Sequence, residues 1–222
     1  MPRIHFHQQL AELKEKLLSM AALAQQAVES TVEAYTQRDP AMCEYVRENE
    51  NAINAAQRQV DEMAYDLLAK EQPMAIDLRF ILAVIKINSD LERIGDQAMS
   101  IALRTQTLMK DPAVELPVDI HGMGNHATRM IRTSIRSLLK GNAPLAETVV
   151  KMDDEIDQMN RRAHADLIQM IQARPAVAAQ ALQAIIISRN LERIADHATN
   201  IATDVIFWIR GADIRHQLSV AE

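Results

Sequence analysis

One six-residue motif occurs twice in this chain and constrains its fold more than any other feature. Leu91-Glu-Arg-Ile-Gly-Asp96 returns 100 residues later as Leu191-Glu-Arg-Ile-Ala-Asp196. Upstream of both motifs, apolar positions of the first half recur in the second half at a constant separation of 103 residues. The matched pairs include Leu17/Ile120, Met20/Met123, Ala24/Ala127, Val28/Ile131, Val46/Val149 and Ile53/Ile156. A register shared over this length indicates two copies of one structural unit.

Within each copy, apolar residues recur at alternating steps of three and four, which is the spacing of amphipathic helices packed in a bundle. The first half contains three such stripes, which start near Leu10, Met42 and Val84. Helix-ending and helix-starting residues lie between the stripes at Asp39-Pro40, at Pro73 and in the segment 111–117. We therefore expect an all-α chain of six long helices, forming two tandem three-helix bundles over residues 1–110 and 111–222.

The composition agrees with long helices and excludes two classes of partner. Apolar residues make up 48% of the chain, whereas glycine (5) and proline (7) are scarce. The net charge is −6, and no basic cluster with interleaved aromatic residues is present, so nucleic acid is not an expected partner. The longest apolar stretch, residues 176–187, is interrupted by Gln180 and Gln183 and is shorter than the ~20 residues of a membrane-spanning helix. We expect membrane contact only through a partner.

The sequence also indicates a cytoplasmic location. The first residues lack the apolar core of a signal peptide. The single cysteine, Cys43, cannot form a disulfide within the chain, which is typical of a reducing compartment.

Carboxylates spaced one helical turn apart are the candidate chemical groups. Three such pairs occur, at Glu92/Asp96, Asp153/Asp157 and Glu192/Asp196. At this spacing, side chains share a helix face and like charges repel. When the fifth and sixth predicted helices are folded back on each other at Arg174-Pro175, Asp153 lies opposite Asp196. Asp157 then lies opposite Glu192, and four carboxylates converge on one surface groove.

The first unit should form a similar but less acidic groove. Folding the second and third predicted helices about residue 73 places Glu50 near Asp96. The same operation places Asn54 near Glu92, so that an amide replaces one of the four carboxylates.

The residues alone allow two interpretations of these clusters. Clustered carboxylate oxygens are typical ligands of divalent cations and of iron or manganese. The alternative is a solvated acidic face whose carboxylates pair with arginines such as Arg189 and Arg193. Arg93 and Arg193 follow the motif glutamates directly, and helical geometry turns them away. The Glu-x-x-His motif of dimetal oxidases is absent, and we expect His197 to be solvated.

These motifs resemble the PhoU family, which comprises bacterial regulators of phosphate uptake. The resemblance covers nearly the whole chain and is most specific in the segments 72–79, 91–96 and 191–202. It implies two three-helix bundles in tandem, and a surface metal bound by E(D)-x-x-x-D motifs in some members. Those motifs fall here on Glu92/Asp96, Glu192/Asp196 and Asp153/Asp157, and Asn54 stands where an acid would complete the first set. We expect a divalent or iron-type metal in the second unit and weaker binding in the first.

The resemblance also implies a function. Members of the family are cytoplasmic adaptors and not enzymes. They act with the ATPase subunit of the phosphate ABC transporter and with the sensor histidine kinase of the Pho regulon, and they restrain phosphate uptake and the starvation response. The resemblance also allows a homodimer. Two other functions stay open, namely an accessory of a different phosphate permease and a metalloenzyme that uses the carboxylate clusters.

Overall fold

The computed structural model describes residues 2–212, and six long helices account for nearly all of them. In chain order they are α1 (Pro2–Gln37), α2 (Pro40–Glu71), α3 (Ala75–Leu108), α4 (Ile120–Lys140), α5 (Ala143–Ala173) and α6 (Ala178–Arg210). A short 3-10 helix, Pro175–Val177, lies between α5 and α6. No strand occurs within residues 2–212, and no helix there has an apolar stretch suited to crossing a bilayer. The all-α prediction of six long helices is confirmed.

Equivalent side chains start the second helix of each bundle. Asp39 accepts a hydrogen bond from the backbone N–H of Ala41 at 2.8 Å, and Pro40 occupies the first turn of α2. Asn142 accepts from the backbone N–H of Leu145 at 2.9 Å and starts α5 in the same way. Such caps satisfy amide groups that have no partner within the helix. The break expected at Asp39-Pro40 is confirmed, and those expected at Pro73 and in the segment 111–117 also fall between helices.

The helices pack as two bundles that share one core. Helices α1, α2 and α3 contact one another in every pairing, and so do α4, α5 and α6. Between the bundles, α3 packs along α6 and α1 packs along α4, whereas α2 and α5 contact only their own bundle in the described part of the chain. One buried apolar cluster runs through all six helices, from Phe6 to Ile206. The domain limits 1–110 and 111–222 stay a prediction.

The long contact between the bundles is formed by α3 and α6, which run antiparallel. Near the start of α3, Arg79 Nε donates to the backbone carbonyl of Trp208 near the end of α6, at 3.1 Å. Further along α3, Ser100 Oγ accepts from Asn190 Nδ2 at 2.9 Å. This packing brings the two copies of the repeated motif onto adjacent helices.

Helices α1 and α4 approach each other closely at a glycine. Gly124 is buried in α4, and a Cβ atom at this position would overlap the side chain of Val32 on α1. Glycine lowers the helix propensity of α4, but its missing side chain is what permits this approach of the two backbones.

Candidate metal centre

Three carboxylates of the second bundle converge between α5 and α6, namely Asp157, Glu192 and Asp196. One oxygen atom of each lies within 4.8 Å of an oxygen atom of the other two. Asp157 and Glu192 are half-buried, and Asp196 is exposed at the edge of the groove. Within residues 2–212 this is the one group of three potential ligands that are so close together. We call these residues the α5–α6 carboxylate group.

Asp153, the fourth residue predicted for this groove, lies beside the group and not within it. Its Oδ1 atom accepts a hydrogen bond from Thr199 Oγ1 at 3.1 Å. Burial raises the pKa of Asp153, the Thr199 hydrogen bond lowers this pKa, and the charge of Asp157 raises it further. Thr199 therefore orients Asp153, a role that the sequence analysis missed.

The α5–α6 carboxylate group is electrostatically strained. Although Asp196 is exposed as a residue, partial desolvation of its carboxyl by the surrounding groups raises its pKa to about 7, with further contributions from the charges of Glu192, Asp153 and Asp157. Burial and the charge of Asp157 also raise the pKa of Glu192. Carboxylates that are crowded in this way favour any species that brings positive charge, whether a proton or a metal ion.

The first bundle contains a corresponding set of residues, but its charges are compensated differently. Burial and the charge of Asp96 raise the pKa of Glu92, Arg93 lowers it, and Glu50 adds a smaller increase. Arg93 lies 3.6 Å from a carboxylate oxygen of Glu92 and 3.6 Å from one of Asp96. Asn54 donates to Glu50 at 2.7 Å. The expectation that Arg93 points away is wrong, because its long, exposed side chain folds back over both carboxylates.

The second bundle has less compensation from arginine. Arg161 lies 3.4 Å from Asp157 and is the one arginine in ion-pair contact with the α5–α6 carboxylate group in the described part of the chain. The partners expected from the sequence, Arg189 and Arg193, lower the pKa of Glu192 without forming such a contact. The acidic-face interpretation with paired arginines therefore describes the first bundle better than the second.

His197 connects the two motif-bearing helices. Its Nδ1 atom lies 2.8 Å from Asp90 Oδ1 on α3, and Asn200 Nδ2 donates to the same oxygen at 3.3 Å. Positive charge on His197 would lower the pKa of both Glu92 and Asp196. The expectation of a solvated histidine is wrong, because the ring lies at the α3–α6 contact and is only 21% exposed.

The raised pKa of Asp196 predicts that this residue destabilises the folded state more as the pH rises, which is the opposite of an ion-paired aspartate. In the folded protein the pKa of this carboxyl is about 7, whereas the ordinary pKa of an aspartate is 3.8. The folded state therefore binds more protons between these two values, and the contribution of Asp196 to stability declines as the pH rises through them. In chelator-treated protein, we expect Asp196→Asn to raise the melting temperature more near pH 7 than near pH 4. A difference between variant and parent that is the same at both pH values would contradict the shift.

Comparison with known proteins agrees with the repeat, the fold and the motifs. The family model described as "PhoU domain" matches residues 17–105 and again residues 120–205. The phosphate-specific transport system accessory protein PhoU homolog of Pseudomonas putida is 36% identical over 214 residues, which cover 95% of this chain and 83% of that protein. The homolog of Pseudomonas aeruginosa is 34% identical and covers 95% of this chain and 88% of that protein.

Solved structures show the same architecture. The crystal structure of PhoU from Pseudomonas aeruginosa superposes with a TM-score of 0.90 at 33% identity, covering 93% of this chain and all of that one. The phosphate transport system regulatory protein PhoU from Streptococcus pneumoniae has a TM-score of 0.87 at 25% identity, covering 94% and 98% of the two chains. Two matches to one domain model, together with relatives above 30% identity over almost the full length, establish that the chain belongs to the PhoU family.

Proposed function

We propose that this chain is a cytoplasmic accessory protein of a phosphate-specific transport system, and that it restrains phosphate uptake and the phosphate-starvation response when phosphate is plentiful. The observation that carries the proposal is the match of both bundles to the PhoU domain. Relatives that cover nearly the whole chain are named as accessory proteins of such a system.

In this proposal the chain is an adaptor and catalyses no reaction. It contacts the ATPase subunit of the phosphate ABC transporter and the sensor histidine kinase of the starvation response.

An adaptor needs exposed surfaces for its partners, and large apolar side chains are exposed around the α2–α3 turn at Met74, Ile76, Leu78 and Leu82. Met74 is 78% exposed, and an adjoining open pocket of about 560 Å³ is bordered in part by Phe6. Clustered apolar surface of this kind supports a partner site here. A homodimer stays a prediction.

Deletion of the gene tests the regulatory role. We expect a reporter of the starvation response to stay active in phosphate-rich medium, because the kinase no longer receives the signal that the transporter is supplied. A plasmid copy of the parent chain should restore repression. A reporter that stays repressed in the deletion strain would refute the regulatory role, and altered phosphate uptake in that strain would then favour an accessory of another permease.

We also propose that the α5–α6 carboxylate group binds a divalent or iron-type metal ion. Three carboxylate oxygens within 4.8 Å of one another fit the oxygen preference of such ions. The raised pKa of Asp196, to about 7, supports a site that gains from added positive charge. Glu92, Asp96 and Glu50 should bind metal more weakly, because Arg93 already lies against two of them.

A further inference from the structure

Helix α4 carries positive charge only. Its 21 residues contain Arg129, Arg132, Arg136 and Lys140 and no aspartate or glutamate, although the whole chain has a net charge of −6. All four basic side chains are exposed. Their spacing of three, four and four residues places them on one side of the helix, in a stripe about 16 Å long. We call this stripe the α4 basic face.

The α4 basic face already binds carboxylates of neighbouring helices at one end. Arg132 lies 3.1 Å from Glu29 on α1, and Arg129 lies 3.6 Å from Glu155 on α5. Toward the other end, Arg136 and Lys140 form no ion pair with the described residues. Two of the four basic side chains therefore pair with carboxylates of this chain, and the other two can pair with carboxylates of a partner.

The α4 basic face is separate from the candidate metal centre. Helix α1 packs along α4 and α3 packs along α6, whereas within residues 2–212 the backbone of α1 does not come close to that of α6, nor the backbone of α3 to that of α4. The four helices therefore form a square, with α1 and α4 on one side and α3 and α6 on the other. The α5–α6 carboxylate group uses no residue of α4. The exposed apolar side chains around the α2–α3 turn also lie on other helices, so the proposed adaptor has two separate surfaces for two partners.

We propose that the α4 basic face binds an acidic helical segment of a protein partner. This inference rests on the proposed adaptor function, and it specifies the chemistry of one of the two partners. A helix with carboxylates at the same three-four-four spacing presents one acid to each basic residue. Leu139, which is 53% exposed beside the stripe, supplies an apolar contact at its edge. A lipid surface fits less well, because the basic residues form one narrow line between Glu29 on α1 and Glu155 on α5, which a helix can follow and a broad anionic surface cannot.

Two synthetic helices serve as probes for this chemistry. One alanine-based peptide carries four glutamates at the three-four-four spacing, and its isomer has the same composition with the glutamates distributed around the helix. Binding to the full chain is measured by fluorescence anisotropy of the labelled peptides. We expect the matched peptide to bind about tenfold more tightly than its isomer, as a few exposed ion pairs together allow. This preference should weaken as salt is added.

Matched charge reversals locate the binding surface. Arg132→Glu, Arg136→Glu and Lys140→Glu together should remove the preference for the matched peptide. The control Arg47→Glu, Arg58→Glu and Lys70→Glu makes the same change of net charge on exposed positions of α2 and should retain it. Arg136→Ala alone tests the same face without breaking an ion pair. This variant should weaken the matched peptide by about threefold, the scale of one exposed charge pair.

Three results would overturn the inference. Equal loss in the α4 and α2 variants would show that only net charge matters, and equal affinity for the two peptides would show that spacing does not. Binding to phosphatidylglycerol vesicles that is lost in the α4 variant, without peptide binding, would assign the face to a membrane. Failure of the proposed function would be seen separately, as a repressed reporter in the deletion strain while peptide binding persists.

Discussion

Chelator-stripped protein carrying Asp157→Asn and Glu192→Gln should show almost no rise in melting temperature when manganese, iron, zinc or magnesium is added, whereas the parent protein should show a clear rise. A metal that binds only the folded state adds about 2.7 kcal/mol at a free concentration one hundred times its Kd. For a chain of this size, that corresponds to roughly 5–10 °C. The double variant removes two of the three converging carboxylates and most of this gain.

The first bundle supplies the internal control. Glu92→Gln should remove much less of the metal-dependent gain, because Arg93 lies against Glu92 and Asp96 and already compensates their charge. Arg93→Gln should instead increase metal binding by the first bundle, since the competing cation is gone. If none of the four metals shifts the melting curve of the stripped parent protein, the α5–α6 carboxylate group is a solvated acidic face.

The second large effect is expected where α1 meets α4. Gly124→Ala should destabilise the protein by about 1–3 kcal/mol, the usual cost of adding atoms to a packed interior. Helix propensity alone predicts that this substitution stabilises the protein, because alanine favours a helix by up to about 1 kcal/mol over glycine. The steric effect prevails because the new Cβ would overlap the stiff, branched side chain of Val32. Urea denaturation of the two proteins measures the difference.

A second substitution tests the cause of this loss. Val32→Ala removes the methyl groups that the new Cβ would meet, so the double variant with Gly124→Ala should be more stable than the sum of the single effects predicts. A coupling of this kind is expected only for residues in contact. If the two effects add, or if Gly124→Ala stabilises the protein, the close approach is not what requires glycine.

Features that depend on one helix, or on two helices that follow each other in the chain, could be predicted from the sequence. Helix limits followed from breaks such as Asp39-Pro40, where Asp39 acts through the nearby backbone amide of Ala41. The convergence of Asp157 with Glu192 followed from a short turn between α5 and α6, because a short turn fixes which residues of an antiparallel pair are opposite. These inferences need only the helical period and the position of one turn.

Features that depend on the contact between the bundles did not follow from the sequence. The pairing of α3 with α6 involves helices about 100 residues apart, and no local pattern fixes its register. His197 and its partner Asp90 were therefore missed as a contact, as was the bond from Arg79 to the carbonyl of Trp208. Arg93 shows a different limit, since the direction of a long exposed side chain is not set by helical spacing alone.

The pairing of α3 with α6 has a consequence for synthesis of the protein. Helix α3 begins at Ala75 and helix α6 at Ala178, which is 103 residues later. At ordinary translation rates, α6 is therefore synthesised roughly 5–20 s after α3, and the apolar face of α3 lacks its partner during that time. During this interval the nascent first bundle exposes buried residues of α3, and it cannot make the Arg79 bond to α6. Ribosome-bound chains stalled before residue 178 should therefore be better chaperone substrates and more protease-sensitive than chains released with α6 complete.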